Sequence, residues 1–254
     1  MLTTNAEWVR RVRNALQANG YYYEPRFCLD TSSTAAIVAA AHLLGRVYVP
    51  EKTKSDNPLI STVPSPTAPP WRPFDRQLPI RWHSDFSTHT SRPELSILWI
   101  RRQDPEGPMR GDWWVASAHT VIAELRRTNE GKRLVAQLLR QGQPFGYRDT
   151  GDWRSFRIIS QVGESQRLRF YGPALEDGAL LCFGKVPDRT REIVARIETA
   201  ADAVREVLPA TTGALLIVHN GLSLHDRAPQ TITGPKGCRR QAVLCFVKRL
   251  HTPL

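Results

Sequence analysis

Leu78-Pro79-Ile80-Arg81-Trp82-His83-Ser84-Asp85-Phe86 sets an imidazole and a carboxylate two residues apart. If this piece is extended, alternate side chains leave one face, so His83 and Asp85 emerge together. From Leu78 onward the chain reads as short strand-like pieces, 95–101 and 113–116 on either side of a polar turn at 103–112, then 156–159 and 168–171. Strands return at 214–218 and 241–248, with Gly-Pro-Lys-Gly at 234–237 turning between them. Upstream, Trp8, Val9, Val12 and Leu16 recur at helical spacing over 3–19 and Gly20 ends the run. Tyr21 to Tyr23 read as a strand, and an Ala-rich helix follows over 31–44 up to Gly45. Pro64, Pro66, Pro69 and Pro70 make 57–79 a long loop, because backbone without N–H donors cannot join a central strand. Two more helices are expected, over 119–139 and, from Ile193, Ile197, Ala200, Ala201, Val204 and Val207, over 188–208.

Strands on both sides of a helical insertion, with helices at the start, predict a mainly β chain with flanking helices, its strands folded as a two-sheet jelly roll, or double-stranded β-helix. The expected organisation is a single domain over 1–254, with an N-terminal helical part over 1–50, a Pro-rich rim over 57–79 and a core over 78–250. Such a scaffold brings residues distant in sequence to one mouth.

Composition narrows the classes. The 254 residues are 41% hydrophobic and 23% charged, as in an ordinary globular protein. No apolar run reaches membrane-spanning length, and the first residues mix Glu7 with Arg10, Arg11 and Arg13, unlike a secretory signal. A cytoplasmic protein without a membrane partner is expected. Cys28, Cys182, Cys238 and Cys245 form no CxxC pair, so they are expected as reduced thiols, mostly in the core. The net charge of +11 comes largely from arginines spread from Arg10 to Arg249 without a block of like charge. Nucleic acid is therefore not an expected partner, whereas an anionic small molecule or an acidic carrier protein fits.

A second polar piece lies downstream, where the apolar run 214–218 passes through His219-Asn220-Gly221 to His225-Asp226-Arg227, with Arg239 fourteen residues beyond His225. A second imidazole beside His83 and Asp85 completes the two-histidine, one-carboxylate set that holds iron(II) and leaves positions open. A guanidinium keeps its charge and grips a carboxylate through two parallel hydrogen bonds, which suits Arg239 to an acidic co-substrate. Each residue also has a structural reading: His83 and His225 as buried, hydrogen-bonded histidines, and Asp85 as the cap of a turn.

Together these pieces resemble the Fe(II)/2-oxoglutarate-dependent dioxygenases, in the taurine dioxygenase and clavaminate synthase-like branch, over residues 78–249. The piece 78–86 followed by Arg92-Pro93-Glu94-Leu95-Ser96-Ile97-Leu98 is similar to that family's His-x-Asp segment and the strand after it. His-Asp-Arg at 225–227 resembles the end of its distal-histidine motif. The resemblance implies a cupin-like fold, iron(II) on His83, Asp85 and His225, and 2-oxoglutarate on Arg239, with Arg240 as the alternative one residue away. Where the family often has Gly-Gly-x-Thr, this chain has Gly111-Asp112-Trp113-Trp114, so a co-substrate contact is expected to shift to Ser117. His219 stands where the family's turn has Asp and is a rival for the distal ligand.

The implied activity consumes O2 and 2-oxoglutarate, releases succinate and CO2, and oxidises a C–H bond, by default to a hydroxyl, in a small, anionic or amino-acid-like metabolite of secondary metabolism. Arg92, Arg154 and Arg227 are candidates for holding the substrate, free or carrier-bound. Two other readings stay open: a cupin-like metal enzyme that does not use 2-oxoglutarate, and a jelly-roll binding protein without catalysis.

Overall fold

Alternation decides the strands. In Leu95–Arg102, Ile97 and Trp99 face one way and Ser96, Leu98 and Ile100 the other, and Leu215–His219 and Gln241–Leu250 repeat the pattern. The computed structural model describes residues 5–49, 57–68, 73–107 and 109–250. In chain order the elements are α1 (Asn5–Asn19), β1 (Tyr21–Glu24), α2 (Ala35–Leu44), β2 (Gly45–Tyr48), β3 (Ile60–Thr62), β4 (Leu95–Arg102), β5 (Trp113–Ser117), α3 (Ala118–Leu125) and α4 (Asn129–Arg140). Then come β6 (Gly142–Gly146), β7 (Trp153–Arg157), β8 (Ile159–Val162), β9 (Ser165–Leu168), α5 (Gly172–Phe183), α6 (Asp188–Ala203), β10 (Glu206–Leu208), β11 (Leu215–His219), β12 (Ser223–Arg227) and β13 (Gln241–Leu250).

A large antiparallel sheet runs β1-β11-β4-β13-β2, with β3 also on β13, and a smaller one runs β10-β5-β12. Ile100, Leu216, Val218 and Ala242 of the first meet Trp113 and Val115 of the second, so the sheets face each other. Behind the large sheet, Ile97, Trp99, Leu215, Ile217 and Val243 pack on Trp8, Val12 and Leu16 of α1 and Ile37 and Leu44 of α2. Behind the small sheet, Ala116 and Leu224 pack under α3 to α6 in the largest apolar cluster. Each fully buried aliphatic side chain there contributes roughly 1.5–3 kcal/mol of transfer free energy.

The fold is mixed rather than mainly β: six α-helices stand beside the thirteen strands of the described residues, and four of them build a core of their own. The helix expected over 119–139 is two, broken where Thr128 caps the second with a hydrogen bond from Gly131 N–H (3.0 Å). The helix expected over 188–208 stops at Ala203, and 206–208 joins β5 as an edge strand. The strand expected over 168–171 is met by the end of β9 at Leu168 and the bridge of Tyr171 to His83, and α5, which the sequence reading does not anticipate, follows it. Gly178 in that helix hides the helical signal, yet packing requires that glycine, because a Cβ would lie 2.5 Å from Pro144 O on β6. The Pro-rich stretch contains edge strand β3, and its Pro69 and Pro70 lie outside the described residues. Gly45 both caps α2, its N–H donating to Ala41 O, and opens β2. Of the four free cysteines only Cys245 is buried.

Candidate metal centre and its pocket

His83 and His225 are paired through their backbones. His83 N–H donates to His225 O (3.0 Å) and His225 N–H to His83 O (2.9 Å), the mutual exchange of an antiparallel pair. His83 thus sits on the free side of β12, whose other side pairs with β5, rather than in a strand of its own. Asp85 begins the turn that follows. Its N–H donates to Asn220 Oδ1 (3.1 Å) and its Oδ2 accepts from Ser96 Oγ (2.6 Å), while Asn220 Nδ2 donates to Ser96 Oγ (2.9 Å).

The three side chains converge. Nε2 of His83 lies 3.6 Å from Asp85 Oδ1, Nε2 of His225 lies 3.5 Å from Asp85 Oδ2, and the donor atoms are all within 4.8 Å of one another. His83 Nδ1–H donates to Arg81 O (2.9 Å), which leaves the Nε2 lone pair facing the centre. Burial alone would raise the Asp85 carboxyl, but the two imidazoles outweigh it and hold it well below the usual range. Burial pulls His83 down and Asp85 more than reverses this, whereas His225 is lowered by burial and then by His83. A divalent cation would satisfy all three groups at once, and the donor set is that of a non-haem iron(II) site with open positions.

Beside the triad, between the sheets, is a cavity of about 490 Å³ including its opening, walled by Leu98, Trp113, Ala242 and Leu244. Arg240 reaches into it. Its guanidinium is buried, its Nε has no hydrogen-bond partner, and it is pushed down to about 9, by burial first and then by Arg227. Gly111, at φ +68°, makes room for it, since a Cβ there would lie 2.6 Å from Arg240 Cδ. An apolar cavity with a desolvated guanidinium and a metal triad on its walls suits a small dicarboxylate.

Residues 4–242 match the Taurine catabolism dioxygenase TauD, TfdA family. The chain belongs to this family. It is a non-haem Fe(II)/2-oxoglutarate-dependent dioxygenase. Among solved structures, an asparagine oxygenase in complex with Fe(II), 2S,3S-3-hydroxyasparagine and succinate is similar with a TM-score of 0.74 at 19% identity, over 95% of this chain and 79% of that one. The non-haem iron oxygenase OrfP in complex with Fe and alpha-ketoglutaric acid gives 0.69 at 13% identity, over 94% and 78%. The PvcB protein from Pseudomonas aeruginosa gives 0.66 at 14%, over 94% and 79%. No curated protein matches the sequence.

The dioxygenase places its other sequence candidates unevenly. Arg239, the first choice for 2-oxoglutarate, points out of the cavity: its Nη1 donates to Pro64 O (2.9 Å) and its Nε and Nη2 to Gly234 O. Neighbouring residues ahead of β13 face opposite ways, and Arg240 is the one turned inward. Arg227 lines the cavity but is occupied, donating to Ala228 O (2.6 Å), Arg76 O and Leu78 O (both 2.9 Å). Ser117 caps α3, accepting from Thr120 N–H, and lies outside the cavity. Arg154 is exposed and donates to Thr90 Oγ1 (2.7 Å), and Arg92 donates to Ser84 Oγ (3.1 Å). Sequence reasoning missed Asp226, whose Oδ1 accepts from the N–H groups of Ile80 (3.0 Å) and Arg81 (3.1 Å), and the Ser96–Asn220 brace of Asp85. The Asn-Gly turn at 220–221 was the available signal for that brace.

His219 is no rival ligand: its Nδ1 accepts from Gly221 N–H (3.0 Å), away from the triad. It is pushed down to about 3 from an ordinary 6.5, by burial first, then by Arg167 and Arg92. Because the unfolded chain takes up a proton near 6.5 that the folded one refuses, stability falls as pH drops below 6.5 and is unaffected above it. Unfolding by denaturant at pH 7.5 and 5 is expected to show about 2 kcal/mol less of this loss for His219→Asn than for the native chain. Equal losses in the two proteins would contradict the assignment.

Proposed function

We propose that this dioxygenase hydroxylates an unactivated C–H bond of a small anionic or amino-acid-like metabolite, with iron(II) on His83, Asp85 and His225 and the distal carboxylate of 2-oxoglutarate on Arg240. The observation that carries this reading is one cavity with both the triad and a buried guanidinium, whose Nε has no hydrogen-bond partner, on its walls. With both co-substrates bound, the iron supplies an oxidant strong enough to break a C–H bond, and succinate and CO2 are released. The chain's own part is positional. Asp85 stays ionised between two imidazoles, Arg240 orients the co-substrate, and Trp113, Leu98 and Leu244 keep water from the cavity.

The two facing antiparallel sheets support the finer reading of a jelly roll, and of the chain, 1–254, as a single domain. An anionic substrate is supported by Arg92, Arg167 and Arg169. Arg92 is pushed down to about 9 by burial and then by the other two, and Arg169 to about 10 by burial. Among the described residues none of the three has a carboxylate partner. Arg92 sits on Ser84, between two of the metal-binding residues, and Arg169 holds the carbonyls of Ser87 and His89. An amino-acid substrate is supported by the similar structures that hold 3-hydroxyasparagine and (3S)-hydroxy-L-Arg. A cytoplasmic location is supported by four free cysteines, and no helix of the described residues is long and apolar enough to cross a membrane. The spread of positive charge favours a small molecule, free or carrier-bound, over nucleic acid.

The test is anaerobic addition of Fe(II) and 2-oxoglutarate, followed by O2 and a panel of amino acids, free and on a carrier protein. A metal-to-ligand band in the visible spectrum and succinate release stimulated by one class of the panel are expected. No band would overturn the co-substrate assignment. A band without stimulation by any amino acid, free or carrier-bound, would overturn the amino-acid reading of the substrate.

A further inference from the structure

Arg81 ties both histidines of the triad through its own peptide groups. Its carbonyl accepts Nδ1–H of His83 (2.9 Å), and its N–H donates to Asp226 (3.1 Å), the residue after His225. Its backbone is left-handed, with φ +80°, a conformation that a residue with a side chain keeps only when its surroundings impose it. Those surroundings are two helices. The Arg81 guanidinium forks onto Glu198 of α6, with Nε–Oε1 and Nη2–Oε2 both 2.9 Å, and its Nη1 lies 3.8 Å from Glu176 Oε2 of α5. One turn further along α6, Asp202 accepts Nε1–H of Trp82 (3.0 Å). Gly172, at the start of α5, leaves the space for this clamp, since a Cβ there would lie 3.1 Å from Arg81 Nη2 and 3.2 Å from Glu198 Oε1. Neither Arg81 nor Glu198 lines the cavity.

We propose that Glu198 is a positioning residue of the metal centre: by gripping the Arg81 guanidinium it fixes the carbonyl that aims His83 at the metal. This rests on His83 being a metal ligand. A half-exposed ion pair adds little to folding stability, whereas a two-pronged one fixes direction. Loss of Glu198 therefore acts on metal affinity more than on folding.

The experiment is anaerobic Fe(II) titration of the full chain without 2-oxoglutarate, so that no turnover enters the readout. Glu198→Gln is expected to weaken Fe(II) binding about 10- to 100-fold, while the melting temperature of the metal-free protein moves by only a few degrees. Glu192→Gln, which removes exposed pairs with Arg189 and Arg196 on the same helix, is expected to leave Fe(II) affinity unchanged. Because Glu198 acts through Arg81, the double variant with Arg81→Ala binds Fe(II) no more weakly than Arg81→Ala alone. Additive losses, or an affinity of Glu198→Gln within about twofold of native, overturn the proposal. Should Glu198→Gln fail to fold, Glu198→Asp goes through the same cycle and decides it by the same criteria. His83→Ala separates the two levels. If it keeps its iron, the ligand reading falls, and if it loses iron while Glu198→Gln does not, only the role of Glu198 falls.

Discussion

Asp85→Ala is expected to bind Fe(II) at least about 100-fold more weakly and to lower substrate-stimulated succinate release about 10³-fold, equivalent to roughly 4 kcal/mol at the transition state. Asp85 is the only anion of the triad, held ionised by His225 and His83 against the pull of burial. Without it two neutral imidazoles face a divalent cation with no charge to offset it. The truncation also strands the Ser96 hydroxyl and loosens its contact with Asn220, so metal-free melting is measured alongside. Iron retained at one per chain after anaerobic loading and desalting, with succinate release near native, would remove Asp85 from the site.

The second large effect separates two adjacent arginines. Arg240→Ala is expected to raise the KM for 2-oxoglutarate about 10²- to 10³-fold, the cost of removing one partner from a buried charge pair. Arg239→Ala is expected to stay within about threefold, because Arg239 holds only loop carbonyls at Pro64 and Gly234. Folding supplies a second readout. In the absence of co-substrate Arg240 is a buried cation with an unpaired Nε, so Arg240→Ala should melt no lower than the native chain and lose the upward shift that 2-oxoglutarate gives the latter. A preserved shift in Arg240→Ala would show that the co-substrate is held elsewhere.

Much of the centre was legible because its parts are short-range. His83 and Asp85 are two residues apart, and His225 follows a strand and a turn that composition marks clearly. The choice between Arg239 and Arg240 was not legible, because adjacent residues face opposite ways and a short 3-10 turn at Lys236–Cys238 resets the phase just before β13. Ser117 was a candidate only through the resemblance, as a stand-in for the family's Thr, and a hydroxyl ahead of a helix caps it. The helical layer was underestimated for a related reason. Helix α5 carries Gly178 where packing against β6 needs it, and α4 begins behind a Thr cap that sequence periodicity alone runs through. Strand β10 is three residues long and its Val207 is exposed, so helical spacing absorbed it.

The backbone pairing of His83 with His225 has a consequence for which metal the protein carries. Two of the three ligands are already locked face to face by main-chain hydrogen bonds, and the third is braced by Ser96 and Asn220. Hydrogen bonds within the chain thus hold each of the three ligands in place without calling on the ion itself. A ready-made nest of two imidazoles and a carboxylate has little means of refusing nickel, copper or zinc, all of which bind such donors more tightly than ferrous iron. Fidelity for iron then belongs to the supply of ions around the protein rather than to its architecture.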